Sequence, residues 1–232
     1  MTRGITTILF DMDNTLFDLV GAQIAACTAV ADRFAVADGL TLYGQYFRSG
    51  RFGYESHENI RQFLADNGIL QEETYSAGCR IYEEVKLAHV TPYPVVEETL
   101  AALREDGYNL AVITDAHSRD ATRRLEKTAL LPYFLGLVSY DMVRVKKPAP
   151  EPFLTALSMM QAAEDETVVV GDSPGRDIRP ARDLGMHTVY ARYGDRFSEV
   201  PGCPEAEYSI SSMDELLPIV RMLDAETSCN RD

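Results

Sequence analysis

Two hydrophobic textures alternate along most of the chain. Short runs that are apolar almost without interruption, and rich in β-branched residues, occur at Ile5–Phe10, Asn109–Thr114, Leu135–Ser139, Thr167–Gly171 and Thr188–Ala191. A strand with one solvated face would alternate apolar and polar residues. These do not, and so predict strands buried on both faces. The segments between them keep apolar residues at helical spacing. Val95, Val96, Thr99, Leu100 and Leu103 share one stripe, with Gly107 as a C-cap candidate. Ser118 is placed to cap a helix carrying Ala121, Leu125 and Ala129. Ile178, Ala181 and Leu184 line another, closed by Gly185. Strand, helix and strand repeated in this order predict an α/β fold, a Rossmann-like parallel sheet with helices on both faces.

The stretch from Leu16 to Thr91 breaks the alternation. Helical patterns follow one another at Gln23–Ala37, Ser56–Asn67 and Glu72–His89, and the next strand comes only after Pro92 and Pro94. This predicts an all-helical domain, 18–92, inserted into an α/β core made of 1–17 and 93–224. The polar residues 225–232 read as a disordered tail.

Composition sets limits on partners. A chain of 232 residues can bury one core and carry an insertion. Its formal charge of −14 argues against a nucleic acid polymer or an anionic membrane as partner. A small anionic substrate stays possible, because a bound cation inverts the local field. No window approaches the roughly 20 apolar residues that span a bilayer, and Met1–Gly4 opens directly into the first strand. Cys27, Cys79, Cys203 and Cys229 lie far apart, without metal-ligand spacing or a paired framework. Reduced cysteines in a cytoplasmic protein are the expectation, and no feature specifies an oligomeric state.

Chemistry collects at the strand ends, where open parallel sheets bind ligands. The first strand ends in Asp11-Met12-Asp13, although burying a carboxylate costs several kcal/mol unless it is paired. The second ends in Thr114-Asp115, the strand at Thr167 ends in Gly171-Asp172 with Asp177 close behind, and Lys147 follows the strand at Leu135. Singly, these read as a turn pair, a β-branched strand residue or a surface lysine. Together they bring carboxylates, a hydroxyl and an ammonium to one sheet edge.

The segments "FDMDNTLFD", "VITDA", "KKPAPEPF" and "GDSPGRDI" resemble, in order, the four motifs of the haloacid dehalogenase-like hydrolase superfamily. The resemblance runs from Ile5 to about Tyr190, and the helical insertion looks like the cap of the phosphoglycolate phosphatase-like branch. It implies a Mg²⁺-dependent phosphatase acting on small phosphorylated metabolites. By this resemblance Asp11 is the nucleophile that forms an aspartyl-phosphate. Asp13 protonates the leaving oxygen and then activates water, with its main-chain carbonyl on the metal. Thr114 and the backbone N–H of Asp115 bind phosphate, and Asp115 departs from the commoner Asn. Lys147, favoured over Lys146 by the adjacent Pro148, holds the phosphoryl group and Asp11. Physical chemistry agrees that Asp11, Asp13 and Asp172 converging on one point can hold a hard cation such as Mg²⁺. Asp177 is either a partner of Lys147 or of a metal-bound water, or a charge at a helix N-terminus.

Between Asp38 and Glu55 there is no acidic residue, but there are Arg48, Arg51, five aromatic residues and four glycines. This window reads either as a substrate-facing loop, with Arg48 or Arg51 meeting a second anionic group, or as cap core with two surface arginines. His57, His89, His117 and His187 have no metal-ligand spacing. Three rivals remain. A dehalogenase of this fold usually lacks an acid at the position of Asp13. A sugar phosphomutase carries a Gly-x-x-Arg cap signature, which is absent because Gly44 precedes Arg48 by one residue too many. A non-catalytic binding module has no need to retain Asp11, Asp13, Lys147 and Asp172.

Overall fold

Residues 4–197, 203 and 205–229 are described by the computed structural model. In chain order, β1 (Thr7–Phe10) is followed by α1 (Leu19–Phe34), the single turn α2 (Gly39–Thr41), α3 (Glu58–Asp66) and α4 (Glu72–His89). Then come α5 (Val96–Glu105), β2 (Asn109–Ile113), α6 (Ser118–Lys127), β3 (Gly136–Val138), α7 (Tyr140–Val143) and α8 (Glu151–Met160). The chain closes with β4 (Thr167–Gly171), α9 (Arg179–Asp183), β5 (His187–Ala191), β6 (Tyr208–Ile210) and α10 (Leu216–Cys229). It divides into two compact units, Met1–Asp18 with Thr91–Asp232, and Leu19–Val90.

The first unit is built on a six-stranded sheet in the order β3-β2-β1-β4-β5-β6, with every pairing parallel. Leu9, Ala111, Ile113, Val138 and Val169 pack with Phe153, Ala156 and Leu157 of α8 and with Ala181 of α9. The alternate strand residues Ile8, Phe10, Leu110, Val112, Val168 and Val170 are fully buried as well. Both sheet faces are therefore covered, which is why these strands lack alternation. The strand order reverses at β1, so the carboxyl ends of β1, β2 and β4 surround the topological switch point.

Three expectations change here. The sheet has a sixth strand, β6, absent from the predicted set; it is short and its burial runs from half-exposed through exposed to buried. The polar stretch from Ala225 does not begin a tail, because α10 continues to Cys229, and 230–232 lie outside the described residues. Ser118 also does not cap α6 with its own side chain. The Asp141 carboxylate accepts from both the N–H and the hydroxyl of Ser118, at 2.7 Å each, so the cap is supplied by α7.

The second unit is helical throughout its described secondary structure. Tyr82 of α4 is fully buried, stacks on Phe47 at 4.6 Å between centroids, and its hydroxyl accepts from Gln23 Nε2 at 3.2 Å. Of the two readings of the window between Asp38 and Glu55, the core reading holds for its first part: Leu42–Phe47 forms a π-helical turn that buries Leu42, Tyr43 and Phe47. Its apolar side chains supply that unit's core, so only the part beyond Phe47 is loop.

Candidate active site

The turn after β1 carries the first two acids. Asp11 N–H still donates to Val170 O in the sheet, at 2.8 Å, so the Asp11 side chain leaves β1 beside β4. Asn14 then takes a left-handed φ of 66°, a conformation Asn tolerates, and Leu16 N–H returns to Met12 O at 2.9 Å. Met12 is fully buried and packs into the core. The Thr15 hydroxyl donates to Asp11 Oδ2 at 3.1 Å, and the Tyr193 hydroxyl donates to Thr15 O at 2.7 Å, which ties the turn to the segment after β5.

Lys147 is the centre of the site. It is 4% exposed, and its Nζ donates to Asp11 Oδ1 at 2.5 Å, Asp177 Oδ1 at 2.6 Å and Ile113 O at 3.2 Å. Burial would push the ammonium down, but Asp11, Asp177 and Asp115 outweigh it and hold Lys147 above the ordinary lysine value. Lys146 is exposed and lies over the Tyr140 ring. Asp177 is 1% exposed and its second oxygen accepts from Ser173 N–H at 3.0 Å. It is thus a buried partner of Lys147, not a surface charge on a helix end. Gly171 makes room for it, since a Cβ there would lie 2.6 Å from the Asp177 carboxyl carbon.

Asp172 continues β4 and is 2% exposed. One oxygen each from Asp11, Asp172 and Asp177 lie within 4.8 Å of one another. Burial, and then the charges of Asp11 and Asp177, push the Asp172 carboxyl well above the usual carboxylate range. Its Oδ1 is buried and has no protein hydrogen-bond partner. An all-oxygen cluster with one unsatisfied buried oxygen and more carboxylates than ammonium groups suits a hard divalent cation. The residues fit such an ion.

Asp13 departs from the expected convergence. Its side chain is turned to Arg124 of α6, whose Nη1 lies 2.9 Å from both carboxylate oxygens, with the guanidinium 3% exposed. The Asp13 carboxyl group accepts from this guanidinium, so the acids that converge are Asp11, Asp172 and Asp177. Arg124 is not among the expected site residues, although its position three after Ala121 and beside Leu125 puts it on the buried stripe of α6.

Thr114 is buried and its Oγ1 accepts from Ala116 N–H at 3.1 Å. The Asp115 carboxylate accepts from Lys147 N–H at 3.0 Å and lies 3.5 Å from Arg176 Nη1. The charge that distinguishes Asp115 from Asn is therefore matched by a guanidinium from the fourth motif, and its side chain organises the lysine loop. Burial opposes the Arg176 charge, but Asp177, Asp11, Asp172 and Asp115 together hold its pKa above the ordinary arginine value. Arg48 and Arg51 are exposed in the helical unit; Arg51 lies over Phe52 and lines a shallow hollow with Tyr46, Gln62 and Asp66. His117 is exposed and lies 3.9 Å from Asp141. Among the described residues, no helix is long and apolar enough to cross a membrane.

The sheet order, the strand-end acids and the buried lysine define a parallel α/β fold with a buried cluster of charged side chains at the switch point. The chain belongs to the haloacid dehalogenase-like hydrolase family, whose model matches residues 8–191. It is 29% identical over 228 residues to a glyceraldehyde 3-phosphate phosphatase of Methanocaldococcus jannaschii, covering 94% of this chain and 98% of the relative. It is 28% identical over 225 residues to a phosphoglycolate phosphatase of Vibrio vulnificus, covering 94% and 97%. A phosphatase structure from Thermococcus onnurineus matches with a TM-score of 0.67 at 24% identity, covering 93% of this chain and 98% of that one. Likeness at that identity speaks for the fold alone.

Proposed function

We propose that this protein is a Mg²⁺-dependent phosphatase that hydrolyses small phosphorylated metabolites through an aspartyl-phosphate on Asp11. The observation that carries the reading is the buried Lys147 clamped by Asp11 and Asp177, beside an Asp172 oxygen with no protein partner. Relatives named for triose phosphate and phosphoglycolate support small phosphoesters as the substrate class.

Each residue's part follows from charge. A phosphate monoester is an anion and is repelled by three carboxylates, so positive charge must stand between them. Asp11 and Asp172, with the Asp13 carbonyl, would hold the magnesium ion, and Asp177 would stand behind Lys147. When bound, the ion supplies charge neutralisation at the phosphoryl oxygens. Lys147 binds the same oxygens and orients Asp11. The Thr114 hydroxyl and Asp115 N–H receive the phosphate, with the Asp115 carboxylate held back on Lys147 N–H and Arg176. A carboxylate oxygen of Asp11 forms a bond to phosphorus as the P–O ester bond breaks. The bond's electron pair stays on the ester oxygen, which takes the proton of Asp13 and leaves as an alcohol. Asp13, now a carboxylate, accepts a proton from water, whose oxygen bonds to phosphorus and frees Asp11 and inorganic phosphate. Arg48 or Arg51 would meet a second anionic group of the substrate. The cytoplasm supplies both magnesium and such substrates.

The test is a panel of phosphorylated metabolites with Mg²⁺, run beside Asp11→Asn. Phosphate release by the native protein, abolished in the variant, is the expected outcome. Comparable turnover in Asp11→Asn removes Asp11 as nucleophile. Halide release without added metal, or sugar phosphate isomerisation without free phosphate, would redirect the reading to a dehalogenase or a mutase.

A further inference from the structure

Two cations of the sheet unit face its acid cluster, and they are set differently. The Lys147 side chain is 1% exposed, and its Nζ lies 2.5 and 2.6 Å from Asp11 and Asp177. The Arg176 side chain is 43% exposed, and its Nη1 lies 3.5 Å from Asp115 Oδ2, farther than the lysine stands from either partner. Asp177, Asp11, Asp172 and Asp115 all act on the Arg176 charge. By exposure, the lysine belongs to the floor of the site and the arginine to its rim. A guanidinium carries several N–H donors in a rigid fork, so one edge can lie on Asp115 while another meets a ligand. The backbone beneath it is fixed. Arg176 N–H donates to Ser173 Oγ at 3.4 Å, and Asp177 N–H donates to Ser173 O at 2.9 Å. A Cβ added at Gly175 would meet nothing within 4 Å, so this turn borders open space.

We infer that Arg176 is a specificity-determining residue that selects phosphomonoesters carrying a carboxylate close to the ester oxygen. Charge is the reason. Lys147 serves the transferring phosphoryl group, so a substrate carboxylate brought toward the same acids is repelled unless it finds a counter-charge of its own. Arg176 supplies that charge at the rim, in a planar donor geometry that matches a carboxylate. The inference rests on the phosphatase reading and narrows its substrate class. It does not depend on Arg48 or Arg51, which belong to the other unit.

The experiment compares Arg176→Gln and Arg176→Lys with the native protein, with Mg²⁺, on phosphoglycolate and on 2-hydroxyethyl phosphate. The second ester replaces the carboxylate by a neutral hydroxymethyl group and is otherwise alike. A hydrogen bond to a charged group is worth on the order of 10- to 100-fold in affinity. We expect Arg176→Gln to raise KM for phosphoglycolate by about that factor with kcat little changed, because the contact is the same before and during phosphoryl transfer. Neither constant for 2-hydroxyethyl phosphate should change by more than about threefold. Arg176→Lys, which keeps the charge but loses the fork, should recover part of the loss. The inert methylene analogues 3-phosphonopropionate and 3-hydroxypropylphosphonate, titrated by calorimetry, should show the same contrast in Kd. Equal losses on both esters, or a loss confined to kcat, would place Arg176 on the transferring phosphoryl group and overturn the inference. An unchanged KM for phosphoglycolate in both variants would overturn it as well. Should Arg176→Gln fail to fold, the ratio of the two losses in Arg176→Lys decides in the same way. If the native protein releases phosphate from neither ester, the phosphatase reading fails, and the two phosphonate affinities then judge Arg176 by themselves.

Discussion

Each of the two units buries a lysine between two carboxylates, and the two clusters differ in their balance of charge. In the sheet unit Lys147 meets Asp11 and Asp177 at 2.5 and 2.6 Å. In the helical unit Lys86 meets Glu55 and Glu83 at 3.0 Å each, and lies over the Tyr82 ring. The Lys86 cluster also contains His57, whose Nε2 is 2.9 Å from Glu83. Hydrogen bonds to Cys79 and Glu83 raise His57 to about 10, so two cations face two anions at neutral pH. The glutamates are about one-third exposed. The Lys147 cluster has a third buried acid, Asp172, pushed well above the usual range by burial and by its neighbours' charges. One cluster is balanced within its own protein groups. The other holds more buried carboxyl groups than its own cations can pair, so that one of them is pushed toward the neutral form, the signature of a functional site more than of a structural one.

The largest test of this contrast removes the two lysines. Lys147→Met strands buried carboxylates, and breaking a buried pair costs about 3–5 kcal/mol. Its melting temperature should fall sharply without Mg²⁺ and recover in part with it, while turnover falls by at least about 10³-fold. Lys86→Met leaves glutamates that water can reach, so its melting temperature should fall by much less and Mg²⁺ should restore none of it. Parallel unfolding curves of both variants with and without Mg²⁺ are the measurement. Equal rescue of both would erase the distinction.

A magnesium titration sharpens it further. Binding to the folded state alone stabilises by about 2.7 kcal/mol when the ion is at 100 times its Kd. The native melting temperature should rise accordingly, and Asp172→Asn should show little of the rise. In the ion-free protein, however, Asp172→Asn should be the more stable of the two. A carboxyl raised in the folded state contributes stability below its unfolded pKa and loses it as pH rises through the folded value. The advantage of Asp172→Asn should therefore grow as pH increases from acid toward neutral. A smaller effect of the same kind comes from Gly171→Ala, whose new Cβ would press on the Asp177 carboxyl. Overpacking of this sort costs about 1–3 kcal/mol, and here it should lower kcat as well, because Asp177 holds Lys147.

Most of this site could be read from the chain, for a physical reason. Strands buried on both faces are legible as unbroken apolar runs, and a parallel sheet sends whatever ends those runs to one edge. Asp11, Thr114, Asp115 and Asp172 followed from that rule, and Lys147 from the segment after β3. What escaped detection lacked such a run or depended on distant pairing. β6 spans three residues with one exposed, too short for a periodic signal. Arg124 meets Asp13 across 111 positions, and its place on the buried stripe of α6 does not by itself name that distant partner. Arg176 stood inside the fourth motif, and its role became visible only through its approach to Asp115. Gly39 to Phe47 kept two readings, loop or core, because its glycines obscured the helical turn that buries three side chains.

The finest discrimination lies in His57. Its ordinary pKa of 6.5 is raised to about 10, first by its contact with Cys79 and then by Glu83, against the opposing effect of burial. Glu83 is correspondingly lowered to about 2: burial would raise it, but His57 and Lys86 prevail. The sign follows for each partner. The His57 contribution is fully present below pH 6.5 and is lost as pH rises through about 10, whereas the Glu83 contribution is present above pH 4.5 and is lost as pH falls through about 2. Both are complete only between those two ordinary values, near pH 5–6, and the histidine's share persists well into the alkaline range. Because the side chains are 39% and 32% exposed, solvent screens the pair, and its worth is at most about 1 kcal/mol. His57→Gln should therefore lower the melting temperature by a few degrees at pH 6, with the difference closing above pH 10. The imidazole proton resonances of the native protein should titrate near 10 instead of 6.5. A midpoint near 6.5 would mean that the helical unit's cluster lacks its second cation at neutral pH, and the charge balance that separates it from the Lys147 site would be lost.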